Sequence, residues 1–139
     1  EAAEFNGEVY RDSCLEFFLS AAECDARYLN IELNPNLCLY FGFGTGRVDR
    51  MRLLLPGGGK TLNACCERTA TGWDVAYELP FKLLQLFFPD FSPSGKIRGN
   101  FYKCGDLTAQ EHYLAWNRVD AGHPDFHLPA YFGELCFSD

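Results

Sequence analysis

The sequence predicts an all-β chain, an antiparallel β-sandwich with one short helix or turn. Three observations carry this reading. Most segments alternate apolar and polar residues with period two, the pattern of half-buried strands. Glycine- and proline-bearing turns separate them at short intervals. Aromatic residues make up 16% of the 139 residues, with 13 Phe, 7 Tyr and 2 Trp, a composition that suits pleated sheets packed face to face.

The elements follow in order. In SCLEFFLS (13–20) Leu15, Phe17 and Leu19 share one face, and Cys14, Glu16 and Phe18 the other. In RYLNIELN (27–34) Leu29, Ile31 and Leu33 point inward, leaving Tyr28, Asn30, Glu32 and Asn34 to face solvent. Asn34-Pro35-Asn36 reads as a turn, and NLCLYFGF (36–43) as the returning hairpin strand. One strand is expected around 48–55, ending in a glycine turn at 57–59. GWDVAYELP (72–80) puts Trp73, Val75, Tyr77 and Leu79 on one face, which favours a core position for Trp73. Pro80 and the dense apolar run after it suit a short helix or turn capping the sheet. KIRGNFYKC (96–104), EHYLAWNRV (111–119) and GELCF (133–137) complete the strands. The length fits one domain spanning residues 1–139.

The net charge of −7 argues against nucleic acid and against an anionic membrane surface, since both call for a basic patch. No run of 18 apolar residues spans a bilayer. Seven cysteines, an odd number, leave at least one unpaired within the chain. Without CxxC spacing they read as small buried hydrophobes rather than zinc ligands, with a disulfide open to Cys24, Cys65 or Cys66. GGGKT (57–61) lacks the leading glycine of a phosphate loop, and GFGTG (42–46) the spacing of a dinucleotide fingerprint. Both are expected to be turns. No nucleophile–histidine or HExxH pattern appears, so no enzyme activity is expected.

One constellation remains. On the strand at 96–104, Arg98, Asn100 and Tyr102 share a face, and Trp116 shares one with His112, Leu114 and Arg118 on the next strand. The C-terminal DFHLPAYFGELCF adds Phe126 and His127, with Phe132, Leu135 and Phe137 placed to anchor that loop. Flat rings stack on the C–H faces of sugars, while guanidinium, amide and phenol groups engage hydroxyls.

DSCLEFF, RYLNIELNPNLCLY, GWDVAYELPFKLL, IRGNFYKCGD and LAWNRVDAGHPDFHLPAYFGELCF occur in an order that resembles carbohydrate-binding module family 9-like domains of Bacteroidetes, over about residues 9–137. The resemblance implies a non-catalytic sandwich that binds polysaccharide or oligosaccharide ends and accompanies glycoside hydrolases in the periplasm, at the cell surface or in secretion. Such members clamp a terminal sugar between two tryptophans. Phe126 stands at one of those positions and keeps a ring without the indole; Glu16 matches the strand carboxylate; Asn30 stands where arginine is common. The ligand set read from sequence is therefore Glu16, Asn30, Arg98, Asn100, Tyr102, Trp116, Phe126 and His127. The resemblance requires no cofactor and leaves room for calcium, with Asp12, Asp25 and Asp106 as candidate oxygen ligands. It also implies strands ahead of DSCLEFF, either absent or supplied by another chain. Two other readings compete: a non-binding scaffold domain of a polysaccharide-degrading protein, and a haem-binding sandwich that would have to use Met51, the single methionine.

Overall fold

The computed structural model describes residues 8–21 and 25–137. Strands β1 (Cys14–Ser20), β2 (Tyr28–Leu33), β3 (Leu39–Gly44) and β4 (Arg50–Arg52) are followed by β5 (Cys65–Arg68) and β6 (Trp73–Ala76). Helix α1 (Phe81–Phe87), β7 (Lys96–Gly105), β8 (His112–Ala115) and β9 (Gly133–Cys136) complete the regular elements. The larger sheet runs β4-β3-β2-β1-β7-β8, and β9 also pairs with β7; β5 and β6 form a second, two-stranded sheet. All pairings are antiparallel. β7 is the long spine: one edge holds β1, and the other is shared by β9 opposite residues 96–99 and β8 opposite residues 102–105.

The register puts Leu19, Leu29, Ile31, Leu33, Leu39, Phe41, Phe43 and Ile97 on one face of the larger sheet. Buried Leu62, Leu84, Phe88 and Phe91 pack against that face, with Val75, Tyr77 and Leu79 of the second layer beside them. Each fully buried large apolar side chain contributes about 1.5–3 kcal/mol. The period-two pattern at 72–80 is therefore a core face, as the sequence predicts, and Trp73 is half-buried with its indole N–H donating to Ser13 Oγ at 3.1 Å.

The opposite face of β2 departs from expectation. Tyr28, Asn30, Glu32 and Asn34 are buried rather than solvated. The one-turn segment Val9–Arg11 and the long connection between β8 and β9 lie over this face. Val9 packs with Cys14, Cys38, Tyr40 and Cys104, and Phe126 and Phe132 pack with Phe18, Tyr28 and Tyr102. Asn34 is the turn residue predicted, with its Oδ1 accepting the backbone N–H groups of Asn36 and Cys38.

Three other expectations are corrected. The strand expected over 48–55 is only three residues long, because Leu53 and Leu55 turn into the core. β5 was not foreseen: CCER is short and largely exposed, with no apolar alternation to mark it. Of GFGTG, Gly42 and Gly44 belong to β3 and the turn begins at Thr45. The glycine turn expected at 57–59 is confined to Pro56 and Gly57, at φ 86° for Gly57, and Gly58 opens a 3-10 helix over Gly58–Leu62. Pro80 caps α1.

Phe41→Ala should lower stability by about 3–5 kcal/mol in urea unfolding. A Cβ at Gly99 would meet the backbone oxygen of Phe18 at 2.6 Å, so Gly99→Ala should cost about 1–3 kcal/mol through overpacking. Gly46, where a Cβ meets nothing within 4 Å, should tolerate alanine within about 0.5 kcal/mol.

Candidate functional site

Because β2 is central and covered on both faces, the polar groups on its second face need partners within the protein. Strand alternation puts Glu16, Glu32 and Tyr40 in one row across β1, β2 and β3, and Phe18, Asn30 and Gly42 in the next. Gly42 leaves room there: a Cβ would lie 2.7 Å from Asn30 Oδ1. Arg50, on β4, reaches over this gap.

Arg50 Nη1 donates to Asn30 Oδ1 at 2.8 Å and to the His127 ring, and its guanidinium lies over the Tyr40 ring at 4.9 Å. Asn30 Nδ2 in turn donates to Glu32 Oε1 at 2.7 Å. A guanidinium only donates, and Arg50 Nη1 lies 3.2 Å from Nε2 and 3.4 Å from Nδ1 of His127, so the ring offers it an acceptor nitrogen, while Nδ1 also shares a 2.7 Å hydrogen bond with the Tyr28 hydroxyl. The imidazole is thus held neutral. Burial, with Arg50 and Arg47 nearby, brings its pKa down to about 3. Burial raises the Glu32 carboxyl and raises Glu16 well above the usual carboxylate range, with the neighbouring Glu32 adding to the latter. Glu32 Oε2 is buried with no hydrogen-bond partner among the described residues, a deficit worth about 1–3 kcal/mol.

These groups line a cavity of about 230 Å3, bounded by Tyr10, Glu16, Glu32, Arg47, Arg50, Cys104, Asp106, Tyr113, Pro124, Phe126 and His127. A wider, open cleft of about 540 Å3 adjoins it, sharing Tyr113, Pro124 and Phe126 and running out to Trp116 and Arg118.

Of the residues singled out in the sequence, Glu16, Phe126 and His127 line the cavity. Asn30 lies behind it, engaged by Glu32 and Arg50. Arg98, Asn100 and Tyr102 do share a face, but their polar atoms serve the overlying connection. Arg98 donates to the Pro129 and Phe132 carbonyls, Asn100 Nδ2 to the Asn117 carbonyl, and the Tyr102 hydroxyl to the Phe126 carbonyl. One face of the Phe126 ring is stacked on Tyr102, with centroids 4.1 Å apart. Trp116 does not join that strip. It follows β8, packs edge-on to Phe101 across the other face of the sheet, and is 55% exposed in the outer cleft.

The sequence reading missed Glu32, Arg50, Tyr10, Tyr113 and Cys104. The alternation of Arg50 and Arg52 on one strand face was a usable signal for the first pair. Asp12, Asp25 and Asp106 do not form a common cluster among the described residues; Asp25 is paired with Arg27, and Asp106 lines the cavity. Cys24 and its expected disulfide option lie outside the described residues. Met51 is exposed on the face of β4 opposite Arg50, away from the cavity.

A two-sheet antiparallel sandwich with a polar, ring-edged cavity on one sheet face defines a ligand-binding module. The chain belongs to carbohydrate-binding family 9, whose family model matches residues 1–137. It is similar in structure to an inferred carbohydrate-binding protein from Bacteroides uniformis ATCC 8492, with 30% identity and a TM-score of 0.78. The match covers 99% of this chain and 66% of that one. No curated protein matches the chain. No helix among the described residues is long and apolar enough to cross a membrane.

The neutral, buried His127 generates a pH dependence. Its folded pKa lies below the unfolded value of about 6.5, so the unfolded chain binds more protons between those two values. Its contribution to stability is complete above about pH 6.5 and falls as pH drops toward 3. Urea midpoints measured from pH 7 to pH 4.5 should decline more steeply in the wild type than in His127→Gln.

Proposed function

We propose that this chain is a non-catalytic carbohydrate-binding module that seats the end of a saccharide in the cavity and the following unit in the cleft toward Trp116. The observation that carries this reading is the cavity's chemistry. Three acidic side chains, Glu16, Glu32 and Asp106, face Arg47 and Arg50, with Tyr10, Tyr113 and Phe126 rings around them. Sugar hydroxyls donate and accept at once, so they pair with a carboxyl oxygen on one side and a guanidinium on the other. Glu32 Oε2, without a hydrogen-bond partner among the described residues, is placed to engage such a hydroxyl. Sugar C–H faces pack on the rings.

The cavity is smaller than the roughly 300–1,000 Å3 of sites for drug-sized ligands. That favours one terminal ring over an internal stretch of polymer. Glu16, His127 and the exposed face of Phe126 are the proposed contacts carried over from the sequence. Arg98, Asn100, Tyr102 and Asn30 are proposed to act by holding the wall and floor. Plant-type polysaccharide, a glycoside hydrolase companion and a periplasmic, cell-surface or secreted location are part of the same proposal.

Isothermal titration with xylose, glucose, xylobiose and cellobiose, with and without calcium, tests it. Binding at millimolar affinity or tighter is expected for at least one sugar. Tyr113→Ala should cost about 1–3 kcal/mol, the usual loss for an aromatic anchor, on every bound sugar. Trp116→Ala should weaken only the disaccharides. Silence across the panel from folded protein would favour a non-binding scaffold domain instead.

A further inference from the structure

Cys14 and Cys104 are direct partners in the β1–β7 register, although 90 positions separate them in the chain. Both thiols are buried. The Cys104 thiol donates to Glu16 Oε1 at 2.8 Å, close for a sulfur donor. Ligand atoms of Cys14, Glu16 and Cys104 all lie within 4.8 Å of one another. Cys104 and Glu16 also line the cavity, so this cluster has a route to solvent. Glu32, the cross-strand neighbour of Glu16 with an unpartnered oxygen, adds acidic character behind it. Arg50 is committed to Asn30 and His127, leaving no cation bonded to the Glu16 side of the floor among the described residues.

We propose that Cys14, Cys104 and Glu16 form a binding site for a zinc-class divalent cation in the cavity floor, with a fourth position open to the cavity. Two thiolates with one carboxylate are a ligand set for zinc-like ions, because calcium and magnesium take oxygen ligands alone. Three protein ligands and an open position match zinc's four-coordinate habit. Binding takes the protons of both thiols and any proton held on the Glu16 carboxyl, and releases them to solvent in exchange for the dication. Zinc spacing rules find no such site, because they look for ligands close in sequence, and these meet only through strand pairing.

The test is titration of the reduced, metal-stripped 139-residue chain with Co2+, followed by Zn2+. A thiolate-to-cobalt charge-transfer absorption should saturate at one equivalent and be displaced by Zn2+. It should persist when Cys24, Cys65, Cys66 and Cys136 are all changed to serine. It should vanish in Cys14→Ser and Cys104→Ser. Glu16→Gln, a conservative change less exposed to misfolding, should weaken Co2+ binding at least tenfold with an unchanged far-UV spectrum. Absence of the absorption in the wild type would overturn the site, as would its survival in either single cysteine variant. Peptide mapping of the purified protein that finds a Cys14–Cys104 disulfide would overturn it too, since those sulfurs would be consumed. The titration contains no sugar, so its failure leaves the carbohydrate reading standing.

Discussion

The structure depends on β2 being buried on both faces. A central strand with one apolar face is ordinary; this one carries Tyr28, Asn30 and Glu32 on its other face, and that face is covered as well. Buried polar groups hold only when paired, and the pairing runs outward from β2 through Asn30 to Arg50 and from Arg50 to His127. β4, barely three residues long, matters because it delivers Arg50. The C-terminal connection matters because it delivers His127 as the neutral acceptor at the far end. The cavity is what remains where this network stops short of filling the space.

Energetically, the two faces of the larger sheet do different work. The leucine and phenylalanine face supplies the bulk of the hydrophobic stabilisation. The polar face is held by rings as well as hydrogen bonds. Phe18 meets Tyr28, Tyr102, His127 and Phe132, so an apolar aromatic cluster sits directly beside the charged floor. Glu16 and Glu32 are buried beside that cluster, and burial raises both carboxyls.

Much of the sheet was legible because period-two alternation reports strand and face together. β1, β2, β3 and β7 all lie where Leu15–Leu19, Leu29–Leu33, Leu39–Phe43 and Ile97–Phe101 alternate. Alternation says which residues share a face, but not whether a distant loop covers that face. For this reason Glu32 was read as solvated, and its partner Arg50 drew no attention. Glu16 was found through a family likeness, and Phe126 and His127 through the mix of rings and polar groups in the C-terminal stretch. Cys14 and Cys104 left no local trace, because cross-strand neighbours in a long-range pairing have no characteristic spacing in the chain.

The two strands that share the outer edge of β7 give the fold a form of modularity. β8 ends opposite Tyr102 and β9 begins opposite Gly99, so both ends of the connection between them are moored to one rigid strand a short distance apart. Arg98 and Asn100 hold its backbone by carbonyl groups that any residue provides. Side chains along residues 118–124, short of Asp125, Phe126 and His127, can therefore change, by drift or by grafting, without disturbing the register of the sheet beneath. A lineage could re-tune what enters the cavity by rewriting one surface segment, while the buried network on β2 stays as it is.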